Sequence, residues 1–505
     1  MSVGARPRSA LITLLVATGL LSGVGAFAPS DVPDVQLQLG NLLYADGRYR
    51  EAMTAFQRAL GTEEPRVRVP ARAGVVRSAL RIAEFAIART EAITLRQERP
   101  RDPQIQSVYA DAMWSSGLFD EAQTGYRDAL ALQPDDPRGH NGMARVLSAQ
   151  SRYQDALDHA STAVRLAPRE SDFHHTLGNI HERLGQFEQA ARSLENFINL
   201  LPKGYTDNRA VWSRAELRFL RSFGKRVPYE MKSNPDMVHV LPFRLEHDKI
   251  IVQGHVNGGP AMDFIVDTGA EMSTVSRRTS ERQGVDPVTY TISAGVGEMG
   301  LRGLQLGRID KLEFGTLSVK NVPCIIKSPA LTDLPTAEGE SLSPLAMGLS
   351  MAVDYKKRVL TLAHRLPPDG EPADETMGLW MHRLATVRGM VDASHARSFV
   401  VDTGGQVISI STATADALER PSTGRKIALK VYGASGWDRD AYLLPGVDVA
   451  FNAIHFNKMS VVVLNLRAPS VLLGYDLGGI VGHQFLSRYR VTFDLTKAEL
   501  RLKKG

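Results

Sequence analysis

Two aspartates, Asp267 and Asp402, stand in nearly the same short phrase at two places in the chain. Residues 264–269 read Phe-Ile-Val-Asp-Thr-Gly, and residues 399–404, 135 positions later, read Phe-Val-Val-Asp-Thr-Gly. An apolar run that opens onto Asp-Thr-Gly predicts a buried strand that ends in a carboxylate at a tight turn. Because positions upstream of the phrase also repeat at this interval, the sequence predicts two copies of one β unit, each delivering one carboxylate.

The chemistry of such a pair follows from electrostatics. Two carboxylates held about 3 Å apart cannot both ionise, so they share one proton and titrate as a coupled pair. The ionised group can act as general base on a water held between them, and the protonated group can hydrogen-bond a carbonyl oxygen as it gains charge. This chemistry needs no metal and no cofactor. We therefore predict Asp267 and Asp402 as the catalytic residues, and the sequence leaves open which of them carries the proton.

The paired phrases resemble the active-site motif of the aspartic proteases, and the small size of each half resembles their retropepsin-like branch. The resemblance covers the chain from about Val238 to the C-terminus. It implies an all-β, double-lobed acid-protease domain with lobe 1 at 238–365, a linker at 366–378 and lobe 2 at 379–505. It also implies an endopeptidase acting on an extended polypeptide, with apolar residues flanking the cut.

The resemblance assigns supporting roles to the residues beside the two aspartates. Thr268 and Thr403 are expected to hydrogen-bond across a pseudo-two-fold axis and hold the two turns together. Gly269 and Gly404 suit turns in which the backbone must approach a neighbour closely.

The residue after each of these glycines bears on the pH dependence. Pepsin-like enzymes carry a hydroxyl residue there, which donates a hydrogen bond to the carboxylate and lowers its pKa. Ala270 and Gly405 occupy these positions here and have no side-chain donor. We predict activity extending to weakly acidic or near-neutral pH, rather than an optimum below about pH 3.5, near the unperturbed aspartate pKa.

A glycine-rich stretch at 295–300 matches the dinucleotide-binding pattern G-x-G-x-x-G. That pattern requires a helix directly after it, whereas residues 301–320 alternate like strands, so we reject a nucleotide site. In the family this place holds the flap, a hairpin tip that closes over substrate, and its lobe 2 counterpart is 432–437. The predicted flap and substrate-contact residues are Gly295, Gly297, Tyr432, Gly433 and Trp437.

Each lobe is expected to end with two apolar residues and a glycine beside the catalytic turn. In lobe 2 we assign these to 480–482, followed by a short helix at 483–486. In lobe 1 we assign them to 346–348. This alignment predicts that lobe 1 has lost about six residues, most of the short helix.

The first part of the chain, 35–207, has helical periodicity and repeats itself. Aromatic residues recur at spacings of 36, 34, 34 and 34, an alanine follows each by three positions, and prolines close the units. The aromatic positions are Tyr49, Phe85, Phe119, Tyr153 and Phe187, and the alanines are Ala52, Ala88, Ala122, Ala156 and Ala190. A 34-residue unit of two helices resembles the tetratricopeptide repeat. We predict five repeats in an all-α solenoid, a capping helix at 208–223 and a linker at 224–237.

Repeats of this family usually hold peptides or protein tails on their concave face, so the resemblance implies a protein or peptide partner there. A scaffold that only positions its neighbour is the alternative. His174, His175 and His181 lie close in sequence, but no carboxylate or cysteine completes a metal set. We expect histidines that pack between repeats, and no metal site.

Composition excludes several other classes. A length of 505 residues predicts two or three domains, and a net charge of +5 without a long basic block makes nucleic-acid binding a poor hypothesis. Cys324 is the only cysteine, so no intrachain disulfide forms, and its apolar surroundings predict a core strand rather than a nucleophile.

The N-terminal segment 1–28 has two arginines, an apolar stretch and then small residues. This layout is typical of a secretory signal peptide of an exported bacterial protein, periplasmic or secreted. An uncleaved signal that anchors the chain to the membrane is the alternative, and we expect no other membrane contact.

The sequence supports three functional hypotheses. The first is an exported aspartic endopeptidase whose two lobes form one site, with the repeats recruiting substrate or a partner. The second is a non-catalytic periplasmic binding protein whose protease-like module no longer cuts. The third is a dimer in which lobes pair between chains.

Overall fold

The computed structural model describes residues 32–202, 205, 208–231, 237–297, 301–327, 339–368, 370–418, 426–433 and 436–504. The predicted signal segment 1–28 lies outside these residues. Among the helices that are described, none combines the length and the apolar character needed to cross a membrane.

Helices make up the first part of the described chain, in five pairs followed by one more. Their bounds are α1 (Pro33–Ala45), α2 (Tyr49–Ala59), α3 (Pro65–Arg81), α4 (Phe85–Glu98), α5 (Pro103–Ser115), α6 (Phe119–Leu132), α7 (Pro137–Ala149), α8 (Tyr153–Leu166), α9 (Ser171–Arg183), α10 (Phe187–Leu200) and α11 (Asn208–Ser222). Each predicted aromatic residue begins the second helix of its pair. The five predicted alanines are all fully buried where the helices cross, which confirms the helical solenoid.

The turn inside each pair needs a left-handed residue. Gly47, Gly117 and Gly185 have φ of 80°, 70° and 70°, and Ala83 and Ser151 take the same conformation with φ of 56° and 59°. The second and fourth repeats therefore keep the same turn geometry without glycine, at the cost of an unfavourable backbone conformation for alanine and serine.

The first helices of the pairs line the inner side of the solenoid. Neighbouring first helices contact one another, α1 with α3, α3 with α5, α5 with α7 and α7 with α9. Arg81 on α3 donates to Asp172 on α9 at 2.9 Å, although the two residues are 91 positions apart. Arg209 of α11 also donates to Asp172, at 2.7 Å. Side chains of the second repeat, the fifth repeat and α11 therefore meet at Asp172.

Lobe 1 is a sheet of nine strands in the order β1-β9-β6-β10-β5-β4-β8-β7, with β3 paired to β4. Its strands are β1 (Glu230–Met231), β3 (Arg244–Glu246), β4 (Lys249–Val256), β5 (Met262–Val266), β6 (Ser273–Ser276), β7 (Pro287–Ala294), β8 (Leu301–Phe314), β9 (Leu317–Lys327) and β10 (Glu340–Leu342). One helix, α12 (Arg277–Gln283), and a 3-10 turn, Leu345–Met347, complete it. Cys324 is buried on β9, and burial raises the pKa of its thiol to about 12; the core-strand prediction is confirmed.

Lobe 2 repeats this plan as an eight-stranded sheet in the order β14-β15-β16-β23-β17-β22-β21-β18 and a separate hairpin of β19 and β20. The strands are β14 (Trp380–His382), β15 (Leu384–Val391), β16 (His395–Val401), β17 (Ser409–Ser411), β18 (Ile427–Ala428), β19 (Val431–Gly433), β20 (Gly436–Asp438), β21 (Tyr442–Phe451), β22 (Ile454–Leu464) and β23 (Gly479–Val481). The helices are α13 (Thr412–Asp416), α14 (Arg467–Leu473) and α15 (His483–Leu486).

A third sheet joins the lobes, with strands from both in the order β13-β25-β24-β11-β12-β2. Lobe 1 supplies β2 (His239–Pro242), β11 (Ser350–Asp354) and β12 (Val359–Ala363), and lobe 2 supplies β13 (Glu375–Gly378), β24 (Tyr489–Asp494) and β25 (Glu499–Lys504). The two sets meet at β11 and β24, which run antiparallel. The two lobes of one chain therefore pair with each other.

Two predicted linkers contain strands of these sheets. β13 lies within 366–378 and pairs with β25, and β1 lies within 224–237 and pairs with β9. The predicted linkers therefore extend too far. Strands of two and four residues, flanked by turn-forming residues, are too short to give a recognisable strand pattern.

Lobe 2 packs against the middle of the solenoid, at α5, the start of α6 and α7. The His382 ring lies 5.2 Å from Trp114 of α5, and Phe119 lies 5.4 Å from Trp380 and 5.2 Å from Tyr475. Beside them the Asp476 amide donates to the Ser115 carbonyl at 2.8 Å. These aromatic residues belong to one continuous apolar cluster of both domains, so the repeats and lobe 2 share a core.

Candidate active site

The two aspartates are delivered by equivalent strands. β5 ends at Val266, directly before Asp267, and β16 ends at Val401, directly before Asp402. Each strand pairs in parallel with a partner across it, Val266 opposite Leu342 and Val401 opposite Val481. The Asp267 amide donates to the Leu342 carbonyl and the Asp402 amide to the Val481 carbonyl, both at 2.9 Å.

This register corrects the predicted end of lobe 1. Leu342 and Ser343, rather than Met347 and Gly348, are the counterparts of Val481 and Gly482. The 3-10 turn Leu345–Met347 stands where lobe 2 has α15, so lobe 1 has not lost that helix; it has shortened it to a single turn. The sequence alignment was wrong because Gly348, with φ of 74°, ends this turn and does not lie beside the catalytic one.

Ser343 is a supporting residue that the sequence analysis missed. Its hydroxyl donates to the Ala270 carbonyl at 2.7 Å and its amide donates to the Ser273 hydroxyl at 3.1 Å. In lobe 2 a backbone group serves instead, since the His483 amide donates to the Gly405 carbonyl at 2.8 Å. Both catalytic turns are thus tied to the segment that follows the parallel strand.

The two threonines link the catalytic turns reciprocally. The Thr268 hydroxyl accepts from the Thr403 amide at 3.0 Å and donates to the Val401 carbonyl at 2.6 Å. The Thr403 hydroxyl accepts from the Thr268 amide at 3.1 Å and donates to the Val266 carbonyl at 2.7 Å. Both threonines are 1% exposed, so these four bonds fix the two aspartates relative to one another.

The glycines of the two turns leave room for the carboxylate of the opposite lobe. A Cβ placed on Gly269 would lie 2.6 Å from Asp402 Oδ1, and one placed on Gly404 would lie 2.9 Å from Asp267 Oδ1. Each carboxylate also accepts a hydrogen bond from the backbone amide of the glycine in the same turn. Gly269 donates to Asp267 at 2.9 Å and Gly404 donates to Asp402 at 2.7 Å. The turns therefore place the two carboxylates face to face.

Electrostatics in this arrangement favour one shared proton. Burial and the neighbouring Asp267 carboxylate raise the pKa of Asp402 to about 7, against two backbone amides that favour its ionised form. Both side chains are only partly buried, so each can be reached from the cleft. The Asp402 carboxyl, with its raised pKa, and the Asp267 carboxylate opposite it are the two groups that the sequence predicts as an acid and base pair.

The flap of lobe 1 is the hairpin of β7 and β8. Their last pair is Ala294 with Leu301, so a strand, and not the helix of a dinucleotide-binding site, begins at Leu301. Gly295 and Gly297 lie on the described side of the tip, and 298–300 lie outside the described residues.

The flap of lobe 2 is the hairpin of β19 and β20, where Tyr432 pairs with Trp437 and their ring centroids are 5.3 Å apart. The two flaps meet, since a Cβ placed on Gly433 would lie 2.6 Å from Val296 Cβ. The structure thus brings Gly295, Gly297, Tyr432, Gly433 and Trp437 into one region; contact with a substrate remains a prediction.

A half-buried ion pair, also missed from the sequence, joins the lobes near the site. Arg383, at the turn between β14 and β15, donates to Glu271 at 2.6 and 3.0 Å and to the Leu472 carbonyl at 2.8 Å. Its guanidinium lies 4.8 Å from the Trp212 ring of α11. No sequence signal links these residues, because Glu271 and Arg383 are 112 positions apart.

The histidines of the repeats are engaged in packing. His174 Nε2 lies 2.9 Å from the Pro168 carbonyl, His181 Nδ1 lies 2.6 Å from Gln186 Oε1, and the His175 ring lies 5.0 Å from Phe197. Within the described ranges, no cluster of three or more His, Cys, Asp and Glu side chains has the arrangement of a metal site.

Family models match three parts of the chain. A model described as "gag-polyprotein putative aspartyl protease" matches residues 252–334, and one described as "Aspartyl protease" matches residues 385–477. Tetratricopeptide repeat models match residues 33–64, 110–171 and 141–197. Each protease match contains one of the Asp-Thr-Gly turns. The chain therefore joins tetratricopeptide repeats to two retropepsin-like aspartyl-protease lobes, as the sequence predicts.

The chain is also similar to individual proteins. It is 32% identical over 84 residues to the TPR repeat-containing thioredoxin TTL4 of Arabidopsis thaliana and 34% identical over 92 residues to the Hsp70-Hsp90 organizing protein of Triticum aestivum. These matches cover 17% and 18% of this chain but only 12% and 16% of those relatives. A solved thermophilic TPR protein of Thermus thermophilus is 21% identical, with 38% of this chain and 100% of that chain covered and a TM-score of 0.32.

Proposed function

We propose that the protein is an aspartic endopeptidase in which the two lobes of one chain form one active site. The observation that supports this most strongly is the reciprocal bonding of Thr268 and Thr403, which holds Asp267 and Asp402 face to face. Aspartates kept only for folding need neither a shared proton nor a pair of glycines that make room for the opposite carboxylate.

The mechanism follows from the protonation of the pair. A water between the carboxylates gives a proton to Asp267 as it attacks the scissile carbonyl, and the Asp402 proton hydrogen-bonds the carbonyl oxygen as that oxygen gains charge. The tetrahedral intermediate collapses when a proton passes to the leaving amine. The nucleophile is water, so no covalent enzyme intermediate forms.

The substrate in this proposal is an extended polypeptide lying between the catalytic turns and the two flaps. Its backbone would lie beneath Gly297 and Gly433, and Tyr432 and Trp437 would contact its side chains. The apolar rings of these two residues favour apolar residues near the cut.

The repeats have two roles in this proposal. They hold lobe 2 through the shared core, and they recruit a polypeptide on the part of the inner face near Tyr44 and Arg77, whose guanidinium lies 5.2 Å from the Tyr44 ring. We also propose that the protein is exported, on the evidence of the signal-like segment at 1–28.

The test is cleavage of a diverse peptide mixture between pH 4 and 7.5 by the wild-type protein and by Asp267→Asn and Asp402→Asn. The proposal expects cleavage by wild type and loss of at least about 1,000-fold in each single variant, because neither carboxylate can serve both roles. Folded protein that is silent in all three forms would overturn the enzymatic proposal in favour of a repeat scaffold with an inactive protease-like module.

A further inference from the structure

Helix α11 has two apolar faces that contact different domains. Leu217 and Leu220 pack against α10 and close the last repeat, as predicted for a capping helix. Phe219 and Phe223, the second of which directly follows the helix, are 1% and 3% exposed; they lie on the adjacent side and pack on Leu306 of lobe 1. The second face has no role in a solenoid cap, so it requires another explanation.

The residues that this face contacts belong to the lobe 1 flap. Leu306 on β8 pairs directly with Thr289 on β7, five positions before the last pair of the hairpin. Arg218 of α11 donates to the Thr289 hydroxyl at 3.3 Å, and Arg308 of β8 lies 5.7 Å from the Phe223 ring. Helix α11 therefore holds both flap strands at a level about 17 Å from the last described pair of the hairpin, at about 3.3 Å per residue.

The same contacts reach the catalytic side of lobe 1. Met272, five residues after Asp267, and Ile325 of β9 pack on the cluster of Phe219, Phe223 and Leu306. Helix α14 of lobe 2 also contacts β7. β7 is the edge strand of its sheet, and these helices cover it from the repeats and from lobe 2. In lobe 2 the flap is instead a hairpin of its own, separate from the main sheet.

We propose that Phe219 and Phe223 are positioning residues for the substrate-binding flap of lobe 1, which makes the capping helix of the repeats a working part of the active site. This inference rests on the proposed function for its kinetic consequence. The contacts with α11 fix the base of this flap. Loosening the base weakens the hold on substrate while the aspartates and threonines stay in place.

The test compares Phe223→Ala with Leu220→Ala in the full chain. Both substitutions remove a buried apolar side chain from the same end of α11, but only Phe223 faces the flap. We expect Phe223→Ala to raise KM about tenfold with kcat within about twofold, and Leu220→Ala to leave KM unchanged. Phe223→Met, which refills most of the volume, should restore KM. A purely structural role would lower the amount of active protein and hence the apparent kcat, with KM constant.

Hydrogen exchange of the backbone amides gives a reading that does not depend on activity. Phe223→Ala should speed exchange at least about fivefold in β7 and β8, while β19 and β20 keep the wild-type rate. If Phe223→Ala does not fold, Thr289→Val, which removes only the hydrogen bond from Arg218, should give a smaller change of the same pattern.

The outcomes separate this inference from the proposed function. Faster flap exchange in a protein that cleaves nothing would leave the positioning role standing and sink the proteolytic function. Equal flap exchange and equal KM in wild type and Phe223→Ala, in a protein that does cleave, would overturn the positioning role. An equal rise of KM in Leu220→Ala would also overturn it, since the effect would then come from general loosening of α11.

Discussion

At the scale of single residues, the site depends on side chains that serve the opposite lobe. Each threonine hydroxyl bonds to an amide and a carbonyl across the axis, and each turn glycine makes room for the other lobe's carboxylate. The repeated phrase identifies these residues in the sequence, and the role of the threonines is what its resemblance to the aspartic proteases implies. It does not predict Ser343 or Arg383, whose partners come close only through folding.

The threonine bonds are testable by an isosteric change. Thr403→Val leaves the Thr268 amide and the Val266 carbonyl without their buried partner, at a cost of about 1–3 kcal/mol per unsatisfied group. We expect a lower melting temperature and a fall in kcat. Thr403→Ser keeps the hydroxyl and should stay close to wild type in both measurements; equal losses in the two variants would show that the hydroxyl is not what matters.

The raised pKa of Asp402 predicts the pH dependence of activity. The working pair needs the Asp402 proton, so kcat/KM should fall as the pH rises through about 7. A pH profile of peptide cleavage checks this, and an optimum below about pH 3.5 would contradict it, because Asp402 would then titrate near an ordinary aspartate.

The raised pKa of Asp402 also predicts that this residue stabilises the fold less as the pH rises, whereas an aspartate with a lowered pKa stabilises it more. The folded protein holds a proton at Asp402 that the unfolded chain releases near pH 4, so this stabilisation is complete below about pH 4 and is lost as the pH rises through about 7. Asp402→Asn removes this pH-dependent loss of stability, because asparagine does not titrate. Its melting temperature should exceed that of wild type at pH 8, with the difference shrinking towards pH 4; a constant difference across this range would be inconsistent with the shift.

At the scale of elements, periodicity predicts helices more reliably than it predicts short strands. The solenoid follows from aromatic and alanine positions that recur every 34 residues, and these residues pack as expected. The lobe 1 segment around Leu342 was misassigned because a three-residue strand, β10, carries no alternation of its own. Its position is fixed by pairing with β5, which is a long-range contact invisible to local pattern.

Helix α11 is a second case in which the sequence predicts an element but not all of its contacts. The sequence predicts a capping helix at 208–223, and α11 lies there and packs against α10. A second face is hard to detect in sequence, because Leu217, Phe219, Leu220 and Phe223 differ in direction by only part of a helical turn. Only the packing shows that the two phenylalanines contact the flap.

At the scale of the whole molecule, the repeats and the protease lobes form one structural unit. Trp114 and Phe119 of the repeats are buried against Trp380 and Tyr475 of lobe 2 in a shared core. The concave face predicted for a partner is therefore partly covered by the protein's own lobe 2. A repeat scaffold that positions its neighbour, one of the two alternatives from the sequence, is what this contact supports.

The shared core predicts coupled stability. Phe119→Ala removes a ring that is 3% exposed between the two domains, and large-to-small changes of this kind cost about 3–5 kcal/mol. We expect a lower melting temperature and faster hydrogen exchange in both α5 and β15. The control is Phe56→Ala, which lies in the core of repeats 1 and 2 and should speed exchange there while β15 is unaffected. If the β15 amides exchange at the same rate in Phe119→Ala as in wild type, the two domains unfold independently.

Mixing two inactive variants shows whether one chain builds one complete site from its own two lobes. Asp267→Asn and Asp402→Asn are each purified, then unfolded together in equal amounts, refolded and assayed for peptide cleavage beside refolded wild type. If the lobes pair within the chain, as β11 and β24 do here, the wild type regains activity and the mixture stays silent. Recovery of about a quarter or more of the wild-type activity in the mixture would mean that lobes pair between chains, and would contradict the account.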